Sequence, residues 1–191
     1  MGFLSILGQT HKLIQDRVKP GDIVIDATVG NGNDTLFLRK LVGDNGIVCG
    51  FDVQSTAIEN TLKRLSEANL SLEHVHLINN SHDKMLEVLP PSMHEKVSAI
   101  TFNLGYLPGG DHSIITQQDS TIRALQHSLL FLEKDGIITI VVYSGHPGGE
   151  EEADAVLTWV QNLPQQYYQV LSYQFLNQKN NPPYLIAILK R

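Results

Sequence analysis

Cysteine is almost absent from this 191-residue chain, which carries only Cys49. A single cysteine excludes an internal disulfide and a cysteine-based metal cluster. Long hydrophobic runs are also lacking, because the longest ones, such as residues 137–143, are far shorter than the roughly 20 residues that cross a bilayer. Acidic residues outnumber basic ones by 20 to 14, and the formal charge of −6 argues against a general nucleic-acid binder, which needs a basic surface.

The remaining composition is that of a globular protein, with 42% hydrophobic and 18% charged residues. The first residues do not have the layout of a signal peptide, since Lys12 and Arg17 follow the mildly apolar residues 3–7 instead of preceding them. We therefore expect a cytoplasmic protein with no membrane partner. The length fits one domain that spans residues 1–191.

Segments of strand type alternate with segments of helical periodicity along the chain. Strands are predicted at residues 23–25, 46–52, 74–78, 97–103 and 136–143. This alternation predicts an α/β fold with a doubly wound parallel sheet, helices on both faces and ligands at the carboxyl ends of the strands. Two last strands, at residues 167–176 and 184–189, are joined by a loop too short for a parallel crossover. The expected sheet therefore has seven strands and is mostly parallel, with one antiparallel strand near the C-terminus.

Two expectations concern the core. Cys49 lies in a predicted strand and should be buried and inert. The helix predicted at residues 55–68 carries Ile58, Leu62 and Leu65 on one face.

The chain is organised around residues 23–35, IVIDATVGNGNDT. An apolar run ends in Asp26, Gly30 and Gly32 follow one residue apart, and Asn33 and Asp34 are candidates for capping a helix. A strand, a tight turn and a helix N-terminus present backbone N–H groups and a dipole to a ligand. An ordinary strand-to-helix turn, with glycines for geometry only, is the alternative.

Two nucleotide-like ligands suit this turn. A nicotinamide fingerprint requires a third glycine, but Gly30 and Gly32 are followed by Asn33, Asp34 and Thr35. Asp52 ends the second strand, where an acid accepts hydrogen bonds from the ribose that both cofactors contain. The terminal antiparallel pair and the asparagine at the end of the fourth strand favour S-adenosylmethionine.

Four segments carry a resemblance to a known family. They are residues 26–35 (DATVGNGNDT), 102–110 (FNLGYLPGG), 143–149 (YSGHPGG) and 174–183 (QFLNQKNNPP). Together they resemble the YtqB/MnmM family over essentially the whole chain. Thr28 stands at the first glycine position of the common D-x-G-x-G-x-G pattern, a variant that suits this family. The resemblance implies a Rossmann-like class I methyltransferase fold that uses S-adenosylmethionine.

The resemblance further implies an activity and partners. The expected reaction converts 5-aminomethyl-2-thiouridine to 5-methylaminomethyl-2-thiouridine at the tRNA wobble position. The partner would be the anticodon stem-loop of tRNA, and a homodimer is plausible for the family.

By the logic of class I enzymes, the cofactor would be held by residues from four strand ends. The methionine end would meet Asp26 and the turn, namely Thr28, Gly30, Asn31, Gly32, Asn33 and Asp34. Asp52 would hold the ribose with Gln54 beside it, and Ser81, His82 and Asp83 would meet the adenine. A plain helix N-terminus remains an equal alternative for His82 and Asp83. Asn103 and Gly105 would line the place where the methyl group faces the acceptor.

Methyl transfer depends mainly on positioning, but an aminomethyl acceptor must also lose its ammonium proton. The candidates to take or relay this proton lie on predicted carboxyl-end loops: Tyr106, Asp111, His112, Tyr143 and His146. His146 beside Tyr143 is favoured, since histidine titrates near neutral pH. A contact from His146 to RNA phosphate or to a backbone carbonyl is equally open.

Substrate contacts are expected in the loop between the last two strands. Asn177, Lys179 and Asn181 would meet the tRNA loop or a base edge, although a polar turn explains the same residues. No metal site is expected, because the histidines show no ligand spacing with an acid. Two rival functions stay open: methylation of rRNA or a small amine, and a nucleotide-binding module without catalysis.

Overall fold

The computed structural model describes residues 2–107, 109 and 114–191, and it consists of one mixed sheet between two layers of helices. The strands are β1 (Ile23–Asp26), β2 (Ile47–Asp52), β3 (Val75–Asn79), β4 (Val97–Leu104), β5 (Leu132–Val142), β6 (Tyr168–Tyr173) and β7 (Tyr184–Lys190). The α-helices are α1 (Ile6–Gln15), α2 (Asn33–Val42), α3 (Ser55–Glu67), α4 (Met85–Val88), α5 (Gln118–Phe131) and α6 (Gly149–Gln161). Short 3₁₀ helices cover His82–Lys84 and Pro91–Met93.

The seven strands lie in the order β3-β2-β1-β4-β5-β7-β6. Neighbours from β3 to β5 pair in parallel, while β7 runs antiparallel to both β5 and β6. The predicted sheet, mostly parallel with one antiparallel strand near the C-terminus, is confirmed. The order in which strands are added to the sheet reverses between β1 and β4, because β2 and β3 lie on one side of this pair and β5 lies on the other. A ligand crevice is therefore expected at the carboxyl ends of β1 and β4.

Alternate residues of the central strands pack on opposite helical layers. Val24 and Val48 join α1 and α2 in one apolar cluster, whereas Ile25 and Cys49 join α5 and α6 in the other. Strands that are buried on both faces read as nearly continuous apolar runs, as residues 137–142 of β5 do in the sequence. Cys49 is buried in β2 as predicted, and burial raises the pKa of its thiol to about 12.

The face of α3 that is buried differs in part from its predicted apolar face. Leu65 is buried, but Leu62 is 37% exposed, and the buried positions are Ala57 and Thr61 instead. These three buried positions are four residues apart along the helix, and Thr61 packs against the glycine turn. Only a small side chain fits between α3 and this turn, so the large apolar residues that mark the helix in the sequence do not mark its buried stripe.

Among the described residues, no helix is both long and apolar enough to cross a membrane.

Candidate functional site

A cavity of about 520 Å³ opens at the carboxyl ends of the strands. It is lined by the loops that follow β1, β2, β3, β4 and β5, together with Leu7 of α1 and Asn181 of the loop before β7. Its wall is mostly apolar with a few converging polar groups, which is the usual character of a small-molecule site.

Asp26 organises the glycine turn at the bottom of this cavity. Its carboxylate is fully buried, accepts a hydrogen bond from the Thr35 hydroxyl (2.6 Å) and accepts another from the N–H of Thr28 (3.2 Å). Burial, and then the charge of Asp34, raises the pKa of this carboxyl to about 7. Asp26 does not line the cavity, so it acts on the turn from behind.

Asp52 joins the turn to the end of β2. One carboxylate oxygen accepts from the N–H of Gly30 (2.9 Å), and the other accepts from the N–H of Gln54 (2.9 Å). Asp52 lines the cavity, and each oxygen keeps a second lone pair for a ligand hydroxyl.

The glycine turn is tight because Gly32 touches α3. A Cβ on Gly32 would lie 2.5 Å from the Thr61 hydroxyl, and the φ of +76° is one that L side chains rarely adopt. Gly32 is the N-cap of α2 and offers no side-chain cap, so the first N–H groups of the helix are left for other acceptors.

A polar network closes the turn against β4 and α1. The N–H of Asn103 donates to the Thr28 hydroxyl (2.7 Å), and its side-chain amide donates to Asp34 Oδ2 (2.7 Å). Asp34 Oδ1 lies 2.7 Å from His11 Nε2, and the His11 ring stacks on Phe37 with a centroid distance of 3.8 Å.

His82 and Asp83, both candidates for binding the adenine, lie in different surroundings. His82 lines the cavity and is 7% exposed, with Nδ1 3.2 Å from the Ala27 carbonyl and a buried Nε2 that has no hydrogen-bond partner. Burial lowers the pKa of His82, so the ring is neutral at pH 7. Asp83 instead accepts two hydrogen bonds from Arg123 of α5 (2.9 and 3.1 Å) and does not line the cavity. Burial opposes ionisation of Asp83, yet bonds from Ser81 and Arg123 give the carboxyl a lowered pKa.

The aromatic side of the cavity combines the loops after β4 and β5. Tyr106 lies edge-on to His146 with ring centroids 5.9 Å apart, and Tyr143 lines the same wall. His146 Nδ1 is 3.1 Å from the Pro147 carbonyl, which is the backbone contact left open above, while Nε2 is buried without a partner. Burial, and then the charge of Asp34, raises the pKa of the Tyr143 phenol. Asp34 and Tyr143 are therefore close enough to interact electrostatically.

The cavity gathers most of the residues selected from the sequence. Those lining it are Thr28, Gly30, Asn31, Asn33, Asp34, Asp52, Gln54, Ser81, His82, Asn103, Gly105, Tyr106, Tyr143, His146 and Asn181. Those outside its lining are Asp26, Gly32, Asp83, Asn177 and Lys179. Asp111 and His112 lie outside the described residues.

The sequence reasoning missed the wall formed by Leu7 and by the segment before α5. Ile114, Ile115 and Thr116 line the cavity, and buried Glu152 of α6 holds this segment. Its carboxylate accepts hydrogen bonds from the hydroxyls of Thr116 (2.7 Å) and Thr121 (2.6 Å). Glu152 is one of three consecutive glutamates in the first turn of α6, and nothing in the sequence distinguishes it for such a role.

Positively charged lysine and arginine side chains are missing from the described lining of the cavity. No lysine or arginine is present there, while Asp34 and Asp52 both are. Across the described ranges, no group of three or more His, Cys, Asp or Glu residues is placed to hold a metal ion.

Comparison with known proteins gives consistent matches. A family model described as "Putative rRNA methylase" matches residues 48–189. A curated relative from Arabidopsis thaliana, named tRNA (mnm(5)s(2)U34)-methyltransferase, chloroplastic, is 42% identical over 188 residues, which are 95% of this chain and 68% of the relative.

Solved structures match over the full length. A putative rRNA-methylase from Clostridium thermocellum has a TM-score of 0.94 and 46% identity, with 100% of both chains covered. A putative methyltransferase from Streptococcus mutans in complex with SAH has a TM-score of 0.88 and 38% identity, again with both chains covered completely.

Proposed function

The chain belongs to the family described as putative rRNA methylase, a family of methyltransferases, and from this premise we propose that it methylates tRNA with S-adenosylmethionine as the donor. The specific proposed reaction converts 5-aminomethyl-2-thiouridine at the wobble position to 5-methylaminomethyl-2-thiouridine. The name of the Arabidopsis relative supports this substrate, and the SAH in the Streptococcus mutans relative supports the donor.

The residues of the cavity fit S-adenosylmethionine. Asp52 has free lone pairs for ribose hydroxyls, and the uncapped N-terminus of α2 lies beside the turn that would face the methionine end. The neutral His82 donates its Nδ1 proton to Ala27, so its orphaned Nε2 is an acceptor for an adenine amino group. When bound, S-adenosylmethionine supplies a methyl group that is already activated by its sulfonium.

One observation carries the proposal of an amine acceptor. The described wall of the cavity holds two aspartates and neither lysine nor arginine, although the acceptor belongs to a polyanion. Such a wall suits a positively charged donor together with an aminomethyl group, because carboxylates attract both cations. It disfavours an acceptor that carries its own carboxylate.

Roles for the acceptor side follow from the same geometry and remain part of the proposal. Tyr106 and Tyr143 offer aromatic faces to a base that is turned into the cavity, as single-stranded RNA bases commonly are. Asn181 contributes to the rim, and Asn177 and Lys179 lie on the same loop outside the cavity, where they would meet the anticodon stem-loop.

A homodimer is also part of the proposal. The sheet ends at β6, whose residues Val170 and Leu171 are 39% and 45% exposed. No charged residue or proline occurs from residue 165 to 178 to protect this edge from pairing with another strand. A cytoplasmic location and a single domain over residues 1–191 stay predictions.

The function is tested in cells that lack the gene. Nucleosides from their tRNA should contain 5-aminomethyl-2-thiouridine and lose the methylated form, and a plasmid copy of the gene should restore it. Unchanged tRNA nucleosides together with a missing methyl group in rRNA would reject the tRNA substrate in favour of rRNA.

A further inference from the structure

Asp34 is a carboxylate on which three separate elements converge. It lies in the first turn of α2, its Oδ1 contacts His11 of α1 (2.7 Å), and its Oδ2 accepts from the side-chain amide of Asn103 at the end of β4 (2.7 Å). His11 is itself fixed by its stack on Phe37, one turn further along α2. A carboxylate has about four acceptor positions, so each oxygen of Asp34 keeps room for another donor.

The position of Asp34 is on the acceptor side of the cavity. Its side chain is 12% exposed and lines the cavity, so it is shielded from bulk water but reachable by a ligand. Its charge acts on Tyr143, and it is bonded to Asn103, so its neighbours come from the end of β4 and from the loop after β5. Tyr106, in the loop that follows β4, lines the same cavity.

We propose that Asp34 receives the amino group of the acceptor and takes its proton, and that His11 is a positioning residue that holds the carboxylate for this task. The inference rests on the proposed function, since an aminomethyl acceptor is an ammonium ion at pH 7 and must lose a proton before it can attack. It moves the proton acceptor from the loop candidates of the sequence, which are Tyr106, Asp111, His112, Tyr143 and His146, to an aspartate of α2, and it gives α1 a part in the reaction.

The proton balance is simple. One N–H proton passes from the acceptor's ammonium nitrogen to a free lone pair of Asp34, and the nitrogen keeps the electron pair of that bond for attack. Asp34 passes the proton to water before the next turnover. A bound donor of positive charge assists, because a nearby like charge lowers the pKa of an ammonium group.

Several titratable groups lie around this carboxylate. His11 of α1 contacts it directly, and Asp26 and Tyr143 interact with it electrostatically. Asp52 and His146 line the same cavity. Asp26 is fully buried and bonded to Thr35, away from the cavity wall. Asp52 lines the cavity, but its two oxygens accept from the N–H groups of Gly30 and Gln54 at the end of β2. Asp34 is the carboxylate that is bonded to Asn103 and acts on Tyr143, so it is the one that an acceptor bound near these two residues can reach.

The test compares purified full-length variants on tRNA that carries 5-aminomethyl-2-thiouridine. Asp34→Asn keeps the shape of the side chain but removes its charge and basicity. We expect kcat near pH 7 to fall by about 10²-fold or more, the usual contribution of a general base. The loss should shrink as the pH rises towards the pKa of a primary amine, about 10, because solvent then removes the proton. Calorimetric affinity for S-adenosylmethionine should fall much less than kcat, because Asp52, the other aspartate of the cavity wall, keeps its charge.

His11 is tested by a pair of substitutions. His11→Ala should lower kcat by roughly 10-fold to 10²-fold through misplacement of the carboxylate. His11→Gln should recover most of this loss, since its amide N–H can donate to Asp34 Oδ1. Gln15→Ala, on the exposed face of the same helix, is the control for damage to α1 and should behave as the wild type.

The outcomes separate the inference from the proposed function. If Asp34→Asn loses cofactor affinity in step with kcat and its pH profile stays parallel to that of the wild type, Asp34 holds the cofactor or the turn, and the inference is rejected. Equal kcat values for His11→Ala and His11→Gln would reject the positioning role. If the wild type does not methylate this tRNA, the proposed function fails, and the inference that rests on it fails too.

Discussion

At the scale of single residues, Asp26 shows that the glycine turn depends on a carboxyl group whose burial is energetically unfavourable. This carboxyl group is completely buried, and its hydrogen-bond donors are a hydroxyl and a backbone N–H, not a positively charged side chain. Desolvation and the negative charge of Asp34 outweigh these bonds, so the proton is held up to about pH 7. A group of this kind ties the stability of the fold to pH.

The sign of this dependence is definite. Between about pH 4, where an unfolded aspartate ionises, and about pH 7, the folded chain binds a proton that the unfolded chain has lost. The contribution of Asp26 to stability is therefore largest below this window and declines as the pH rises through it. Asp26→Asn should remove that decline, which amounts to a few kcal/mol.

Urea unfolding of both proteins at several pH values checks this prediction. The free energy of unfolding of Asp26→Asn should improve relative to the wild type as the pH rises from about 4 to about 8. Parallel curves for the two proteins would show that Asp26 does not hold its proton in the folded chain.

Individual contacts were the least predictable features of the site. The sequence marked Asp83 as an adenine contact or a helix cap, and the structure pairs it with Arg123, 40 residues away in α5. His11 is a histidine of α1 that was not selected from the sequence, and its bond to Asp34 depends on how α1 lies across the sheet. Neither contact can be derived from local spacing, because tertiary packing sets both.

At the scale of elements, the close approach of α2 and α3 explains both a correct and an incorrect prediction. Two glycines before a helix correctly indicated a tight turn, because Gly30 and Gly32 both adopt positive φ. The buried stripe of α3 differs from its predicted apolar face, because Thr61, and not Leu62, faces that turn. Periodicity finds a helix, but the surface on which it packs decides which stripe is buried.

The substitution Gly32→Ala tests how closely α3 packs against the glycine turn. Gly32 and Gly148 are both left-handed N-caps, of α2 and α6, so an alanine strains the backbone similarly at either site. A Cβ on Gly148 meets Ile115 at an ordinary 3.5 Å, whereas on Gly32 it meets Thr61 at 2.5 Å. We expect Gly32→Ala to lose about 1–3 kcal/mol more in the free energy of unfolding than Gly148→Ala. Equal losses in urea unfolding would mean that α3 moves aside at little cost.

At the scale of the whole molecule, the order of the elements was the most predictable feature. Alternating strand and helix segments determine a parallel sheet, and the short loop before β7 determines its antiparallel pairing. The predicted family, methyltransferase class and cofactor are confirmed by the comparisons. Composition alone was less informative: the net charge of −6 argued against a nucleic-acid partner, yet the name of the Arabidopsis relative specifies tRNA.

The proposed dimer is tested at this scale by light scattering on purified protein. The wild type should have twice the monomer mass, and Leu171→Lys should be a monomer, because a lysine on an edge strand opposes pairing with a second copy. Leu72→Lys, at an exposed leucine outside β6, should stay dimeric. A monomeric wild type, or a dimeric Leu171→Lys, would exclude this interface.

We propose that this chain methylates an aminomethyl group of tRNA that enters its acidic cavity. Mass spectrometry tests this on nucleosides from tRNA of a strain lacking the gene, after incubation with purified protein and S-adenosylmethionine. We expect a gain of one methyl group on 5-aminomethyl-2-thiouridine and on no other nucleoside. A protein that binds S-adenosylmethionine but leaves this nucleoside unchanged would overturn the proposed function.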